Sequence, residues 1–226
     1  MQPGFSMMNF VTVLMIFTSV TNVCGLSNGQ ILLEDGYNKN ALPRNDKKPV
    51  QVVLTTHLQN IINVNEEKQV ISVDISLRLV WKDERVSLNE SFHEYLERDR
   101  IGEYFNINPS EVEELWLPDV YIPDSIEIRH PKYMAEPTSL RVYKDQRLRL
   151  NKRFNLDLGC NMDFHKFPLD TQTCFVYVES WKYGKNALIV KYSDKYDIVF
   201  RRPRLMKCDV NHYARSSVHF LLALTN

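Results

Sequence analysis

The sequence predicts an all-β protein, a two-sheet β-sandwich with a short N-terminal helix. Three observations carry this reading. Apolar residues alternate with polar ones along Ile71–Trp81 and again along Leu148–Leu158, the period of a strand with one buried face. Turn-forming clusters such as Asn63–Lys68 separate the runs. Helical periodicity is nearly absent, and repeated short strands without it are the pattern of a sandwich. At 226 residues, with 44% hydrophobic and 25% charged, the chain is long enough to bury one sizeable β domain.

Taken in order, Phe10–Val20 is an apolar run too short to cross a bilayer as a helix. It reads as part of a secretory signal over residues 1–25, with Val23 and Gly25 at the −3 and −1 positions of a cleavage site. Its n-region lacks Lys and Arg; the competing reading is a buried N-terminal strand or helix. Removal of the signal discards Cys24 and leaves Cys160, Cys174 and Cys208. Export permits a disulfide, and Cys160 with Cys174 is the natural pair, leaving Cys208 over. Asn89-Glu90-Ser91 is a sequon in a polar stretch, so Asn89 is a candidate glycosylation site.

Gln30–Asp35 is read as the short helix, with Tyr37–Pro43 leading out of it. Val50–Ile62 is rich in β-branched residues and reads as a strand. With the Asn63–Lys68 turn and the alternating Ile71–Trp81 run it makes a hairpin. On the second strand Ile71, Val73, Ile75, Leu77, Leu79 and Trp81 face one way, and Ser72, Asp74, Ser76, Arg78 and Val80 the other. Asn89–Arg100 is a charged, solvated excursion. The prolines of Trp116–Asp119 and Val120–Asp124 mark edges or loop entries. Leu148, Leu150, Phe154, Leu156 and Leu158 then alternate along a long strand that delivers the chain into Cys160. Phe175–Val178 and Leu188–Val190 are further strands.

Between the two cysteines stands Cys160–Cys174, CNMDFHKFPLDTQTC. Joined, they close a loop of about 15 residues, which chain entropy values at roughly 3 kcal/mol. Several chemistries are excluded or disfavoured. Formal charge is zero, so electrostatics gives no case for a nucleic-acid partner. No phosphate-cradling GxGxxG or GxxxxGK[ST] loop, HExxH metal motif or GxSxG elbow is present. The reading is therefore of a protein that is no enzyme and needs no cofactor or metal.

The pattern C-x2-D-x3-F-P-x-D-x-Q-x-C, filled by Cys160, Asp163, Phe167, Pro168, Asp170, Gln172 and Cys174, resembles the signature loop of Cys-loop neurotransmitter-gated ion channels. Trp116-Leu117-Pro118-Asp119 resembles that family's W-x-P-D motif. QNIINVNEEKQ with LRLVWKD resembles its first hairpin, and LEDGYNKNALP its N-terminal helix and exit. The likeness runs from about Gln30 to Asp194. Glu179-Ser180 before Trp181 and Leu169 after Pro168 look nearer the anion-channel branch, as in invertebrate receptors, than the nicotinic one.

The resemblance implies an extracellular domain of the nicotinic-receptor type over residues 26–207, with a divergent end at 208–226. Such domains assemble as homo- or heteropentamers and bind a small-molecule neurotransmitter between subunits. Tyr121, Trp181 and Tyr183 match the aromatic residues of the principal face; ring faces attract an ammonium. Arg78, with Arg149 and Asn151, matches the complementary face, where a guanidinium fork suits an agonist carboxylate. The competing reading of each is ordinary packing or an exposed strand residue. Asp163, Phe167, Pro168 and Asp170 match the loop that couples agonist binding to the pore, and Phe167-Pro168 is a candidate cis bond.

No stretch approaches the apolar length of a spanning helix. The chain is accordingly read as part of a plasma-membrane subunit, its membrane anchor lying in a transmembrane region that this chain lacks. The alternative is a secreted, soluble agonist-binding protein of the same fold.

Overall fold

The computed structural model describes residues 25–26, 29–43, 48–90, 104–131, 137–167, 170–193, 198–200 and 218–225. The first strands are β1 (Gly25–Leu26), β2 (Ile31–Leu33), β3 (Val50–Asn65), β4 (Val70–Lys82), β5 (Val86–Leu88) and β6 (Tyr104–Asn106). A 3-10 helix follows at Pro109–Glu114, entered through its proline. Then come β7 (Val120–Tyr121), β8 (Ser125–Arg129), β9 (Thr138–Tyr143), β10 (Arg147–Gly159), β11 (Thr171–Ser180), β12 (Leu188–Tyr192), β13 (Ile198–Phe200) and β14 (Val218–Thr225).

The large sheet runs β12-β3-β4-β10-β9-β6, with β13 beside β3 and β8 beside β10. A second layer runs β14-β11-β7, and a small sheet runs β1-β2-β5. The axis of the fold is the antiparallel β4–β10 ladder, unbroken from Arg147 opposite Lys82 to Gly159 opposite Val70. Both strands alternate as their sequences demand. Val73 and Ile75, and Leu156 and Leu158, lose all exposure into the space between the layers. Val176 and Val178 of β11 meet them there as fully buried members of the same core.

The hairpin is tighter than its sequence implied. Asn63–Asn65 stays in β3, and the turn is Glu66–Gln69. Asn65 Oδ1 accepts the Lys68 amide at 2.9 Å, the side-chain turn that asparagine favours. Gln69 carries the left-handed conformation at φ 52°. The β3–β4 register breaks near Leu58 and Ile61, and beyond the breaks Ile62 and Val64 are exposed.

One expectation is corrected. Gln30–Asp35 is not a helix: Ile31–Leu33 is strand β2, paired with Leu88–Val86 of β5. Ile31 and Leu33 are buried while Leu32 is not, so the run has period 2, and it is too short to sustain an isolated helix. The Asn89–Arg100 excursion lies almost wholly outside the described residues, as do the signal segment before Gly25, Pro168 with its preceding peptide bond, and Cys208.

Asp83 and Arg85 secure the N-terminal segment. Asp83 is fully buried and accepts a two-pronged ion pair from Arg85, with Nε and Nη2 each at 2.8 Å. Arg85 Nη1 also donates to the carbonyls of Asn38 and Ala41, and the guanidinium lies 4.7 Å from the Tyr37 ring centre. Breaking a buried pair by removing one partner strands a charge. Leu156→Ala, which empties a wholly buried site, is expected to lower unfolding free energy by about 2–5 kcal/mol in denaturant titration.

Candidate functional site

Two groups of the expected site residues stand on different parts of the fold. The first is built around Asp119, where the W-x-P-D loop enters β7. Trp116 anchors that loop in the core: its ring packs edge-on to Trp81 at 6.0 Å, and its amide donates to the Tyr37 hydroxyl at 2.8 Å. Burial, as the main cause, raises the Tyr37 phenol above its ordinary range. Three residues on, the Asp119 carboxylate accepts from Ser180 Oγ at 2.7 Å and from the Lys182 amide. Its carbonyl accepts the Trp181 amide at 3.3 Å.

Clamped there, the chain turns sharply after β11 and presents Trp181 outward, 75% exposed. Tyr121 meets it edge to face, with ring centres 5.2 Å apart and planes at 89°. The Tyr121 hydroxyl donates to Glu179 Oε2 at 3.3 Å. Loss of hydration, then the Glu179 charge, raise the Tyr121 phenol above its usual range. Two aromatic rings beside a carboxylate form a surface suited to an organic cation. Tyr183 takes a different place. It is half-buried against Trp116, with ring centres 6.4 Å apart, and its amide donates to Ser180 Oγ.

The second group lies on the outer face of the large sheet. Arg78 of β4, Asn151 of β10 and Ser139 of β9 are directly opposite one another in register. They form a hydrogen-bonded row: Arg78 Nε donates to Asn151 Oδ1 at 3.1 Å, and Asn151 Nδ2 to Ser139 Oγ at 3.2 Å. Arg149 is opposite Arg141 and donates through Nη1 to the Tyr143 hydroxyl at 3.3 Å. Partial burial first, then the nearby Arg149 charge, lower the Arg78 guanidinium below its ordinary value. The described contacts include no hydrogen bond or ring contact between the two groups.

The disulfide loop is the third element. Cys160 and Cys174 are joined, with Cα atoms 5.1 Å apart. Cys160 directly follows β10 of the large sheet and Cys174 lies within β11, so the bridge links the two layers. Gln172, nearly buried, closes the loop like a strand pair: Oε1 accepts the Asp163 amide at 2.7 Å, and Nε2 donates to the Asp163 carbonyl at 2.8 Å and to Asp170. Asp163 also caps its own turn, accepting the His165 amide and pairing with His165 Nδ1. The Cys160 amide donates to the Gln69 carbonyl at 2.8 Å, which ties the loop to the β3–β4 turn. Phe167 stands 64% exposed at the tip.

Three residues that organise the candidate site were not singled out by sequence reasoning. Asp119 was legible only as part of a motif, Gln172 only as a spacing residue, and Arg141 carried no signal until strand register placed it beside Arg149. Asn89 of the sequon donates its Nδ2 to the Gly29 carbonyl at 3.1 Å.

Comparison with known proteins gives consistent matches. The family described as "Neurotransmitter-gated ion-channel ligand binding domain" matches residues 30–222. The gamma-aminobutyric acid receptor subunit pi of Bos taurus is 30% identical over 154 residues, covering 68% of this chain and 32% of that protein. The rho-3 subunit of Rattus norvegicus is 27% identical over 171 residues, covering 76% of this chain and 35% of that protein. The chain thus spans about a third of the length of these relatives. No helix among the described residues is long and apolar enough to cross a membrane.

Two outcomes follow from this geometry. Asp119→Ala is expected to speed amide hydrogen exchange at Trp181–Tyr183 by about tenfold, the loss of about one hydrogen bond to a charged group, with β4 and β10 unaffected. The Asp163 hydrogen bonds raise the His165 imidazole above its usual value, and His165 lowers the Asp163 carboxyl. The pair therefore exists only between the two folded-state values, lost as pH rises through that of His165 and as pH falls through that of Asp163. An NMR titration should place the His165 midpoint above 6.5, the ordinary histidine value, and Asp163→Asn should bring it back down.

Proposed function

Because the chain belongs to the neurotransmitter-gated ion-channel ligand-binding-domain family, we propose that it is the extracellular agonist-binding part of a pentameric channel subunit at the plasma membrane. The observation that carries this is the exposed Trp181, set edge to face on Tyr121 beside the Glu179 carboxylate. A ring face and a carboxylate together attract an ammonium, by about 0.5–2 kcal/mol for the ring contribution. The Arg78–Asn151 row offers the opposite chemistry, a guanidinium fork for a carboxylate. Because no contact among the described residues joins the two groups within one chain, the reading places them on adjacent subunits, with the agonist spanning the interface.

The agonist is accordingly an amino acid whose ammonium meets one subunit and whose carboxylate meets the next. The gamma-aminobutyric acid receptor relatives support that class, and the likeness to the anion-channel branch supports chloride selectivity. In this reading Tyr183 backs the aromatic surface from within. Arg149 and Asn151 shape the carboxylate side. The loop residues Asp163, Phe167 and Asp170, with Pro168, pass agonist binding toward the membrane, together with the β3–β4 turn that the Cys160 amide holds. Residues 26–207 form the domain proper, 1–25 a signal peptide, and Asn89 a glycan acceptor.

An agonist panel on the complete subunit, recording current and reversal potential, tests this. Trp181→Ala is expected to abolish the response or raise the half-maximal concentration more than about tenfold. Arg78→Ala should shift potency for amino acids while leaving simple amines unaffected. An unchanged dose-response for Trp181→Ala rejects the aromatic assignment.

A further inference from the structure

The tip of the disulfide loop holds a histidine that the agonist reading leaves without a role. Gln172 takes both backbone groups of Asp163, accepting its amide at 2.7 Å and donating to its carbonyl at 2.8 Å. That grip fixes where the Asp163 carboxylate stands. Its Oδ1 accepts the His165 amide at 3.1 Å and pairs with His165 Nδ1. One oxygen thus meets both the backbone and the ring of the same residue. Two residues on, the Phe167 amide donates to the Phe164 carbonyl at 3.1 Å. This turn spans His165 and Lys166 and presents the Phe167 ring, 64% exposed.

Imidazole is the side chain whose charge ordinarily changes near neutral pH. As imidazolium, His165 donates from Nδ1 to the carboxylate in a charge-assisted bond. As neutral imidazole with its proton on Nε2, it turns a lone pair toward the same oxygen, and the contact repels. The charges acting on the pair are each other's and, on Asp163, that of Lys166. The adjoining β3–β4 turn carries Glu66, Glu67 and Lys68, and Asp170 is held by Gln172 Nε2. Among the described residues none of these acts on either group. The His165 side chain is 92% exposed, so protons reach it without any opening of the fold. Its leverage comes from position: the acceptor is anchored through Gln172, and only one short turn separates the ring from Phe167.

We propose that His165 and Asp163 form a proton-operated clasp on the tip of the disulfide loop, closed when His165 is protonated and released when it is not. Closed, it holds the Phe164–Phe167 turn and the direction of the Phe167 ring. Released, the turn keeps its own hydrogen bond and the Asp163 cap on the His165 amide but loses the ring contact. Asp163 raises the imidazole above its ordinary value. The clasp is therefore complete below that ordinary value, down to the titration of Asp163, and is lost as pH rises through the raised one. The clasp stands on the loop alone. Its effect on a channel rests on the reading above of this loop as the coupling element, in which acidification favours the agonist response by ordering the tip.

The test follows the 226-residue chain by NMR between about pH 5.5 and about pH 8.5, the range over which histidine titrates. The Phe167 amide is expected to shift with the same midpoint as the His165 ring. Its exchange, corrected for the intrinsic pH dependence, should quicken about threefold above that midpoint, within what an exposed ion pair is worth. Asp163→Asn keeps the cap without the charge, and His165→Gln removes the ring; each should leave the Phe167 amide in its high-pH state throughout. Asp145→Asn, which breaks an exposed pair elsewhere, should leave the titration intact. In the complete subunit the half-maximal agonist concentration should be about threefold lower near about pH 6 than near about pH 8, and His165→Gln should remove that difference. A Phe167 amide that ignores the His165 midpoint, or still follows it in Asp163→Asn, overturns the clasp and leaves the agonist reading intact. A coupled Phe167 amide with currents indifferent to His165 leaves the clasp standing and sinks the coupling role of the loop.

Discussion

The Cys160–Cys174 bond joins two layers that share no ladder at that end. Cys160 directly follows β10, one strand of the large sheet's central ladder, and Cys174 sits inside β11, so the covalent link holds the two layers together there. The candidate site residues of β11 are set by this alignment. β11 runs from the disulfide directly to Glu179, Ser180 and Trp181, a rigid strand between the loop and the aromatic pair. At its other side the Cys160 amide holds the Gln69 carbonyl, and through it the β3–β4 turn. A displacement at Trp181 therefore has a short mechanical route to both exposed loops.

The loop is rigid for reasons beyond the bridge. Gln172 is the key group, because a primary amide has an acceptor and two donors and all are used here. It reproduces a strand pairing to Asp163 and takes up the buried Asp170 carboxylate as well. A glutamate at the same place would lack the donors and set two acids against each other. The same economy holds at Asp119, whose two carboxylate oxygens and carbonyl order three successive residues. In both places one polar side chain organises a loop that has no regular hydrogen bonding of its own.

Much of the fold was legible because burial imposes a period. Ile71–Trp81 and Leu148–Leu158 alternate in the sequence and bury the expected side in the structure. The misreading of Gln30–Asp35 came from a segment too short for period to discriminate: Ile31-Leu32-Leu33 fits a helix turn as well as a strand. Tertiary pairing with Val86–Leu88 decided it. The site was legible residue by residue but not as geometry. Trp181, Tyr121 and Arg78 were each singled out. That Trp181 would be exposed and Tyr183 half-buried, two residues apart, follows from the turn that Asp119 clamps.

By itself, the sequence determined the long alternating strands, the disulfide loop and the residue types capable of meeting an ammonium and a carboxylate. Those are local facts: alternation is written within a strand, and a loop's spacing within a loop. The tertiary structure alone decided which residues share a surface. Arg141 and Arg149 are separated along the chain and neighbours only across the β9–β10 ladder, while Arg78 arrives from a third strand. Whether an arginine is paired or left facing open space depends on what stands opposite in register, and register is fixed by packing between strands rather than by any one of them.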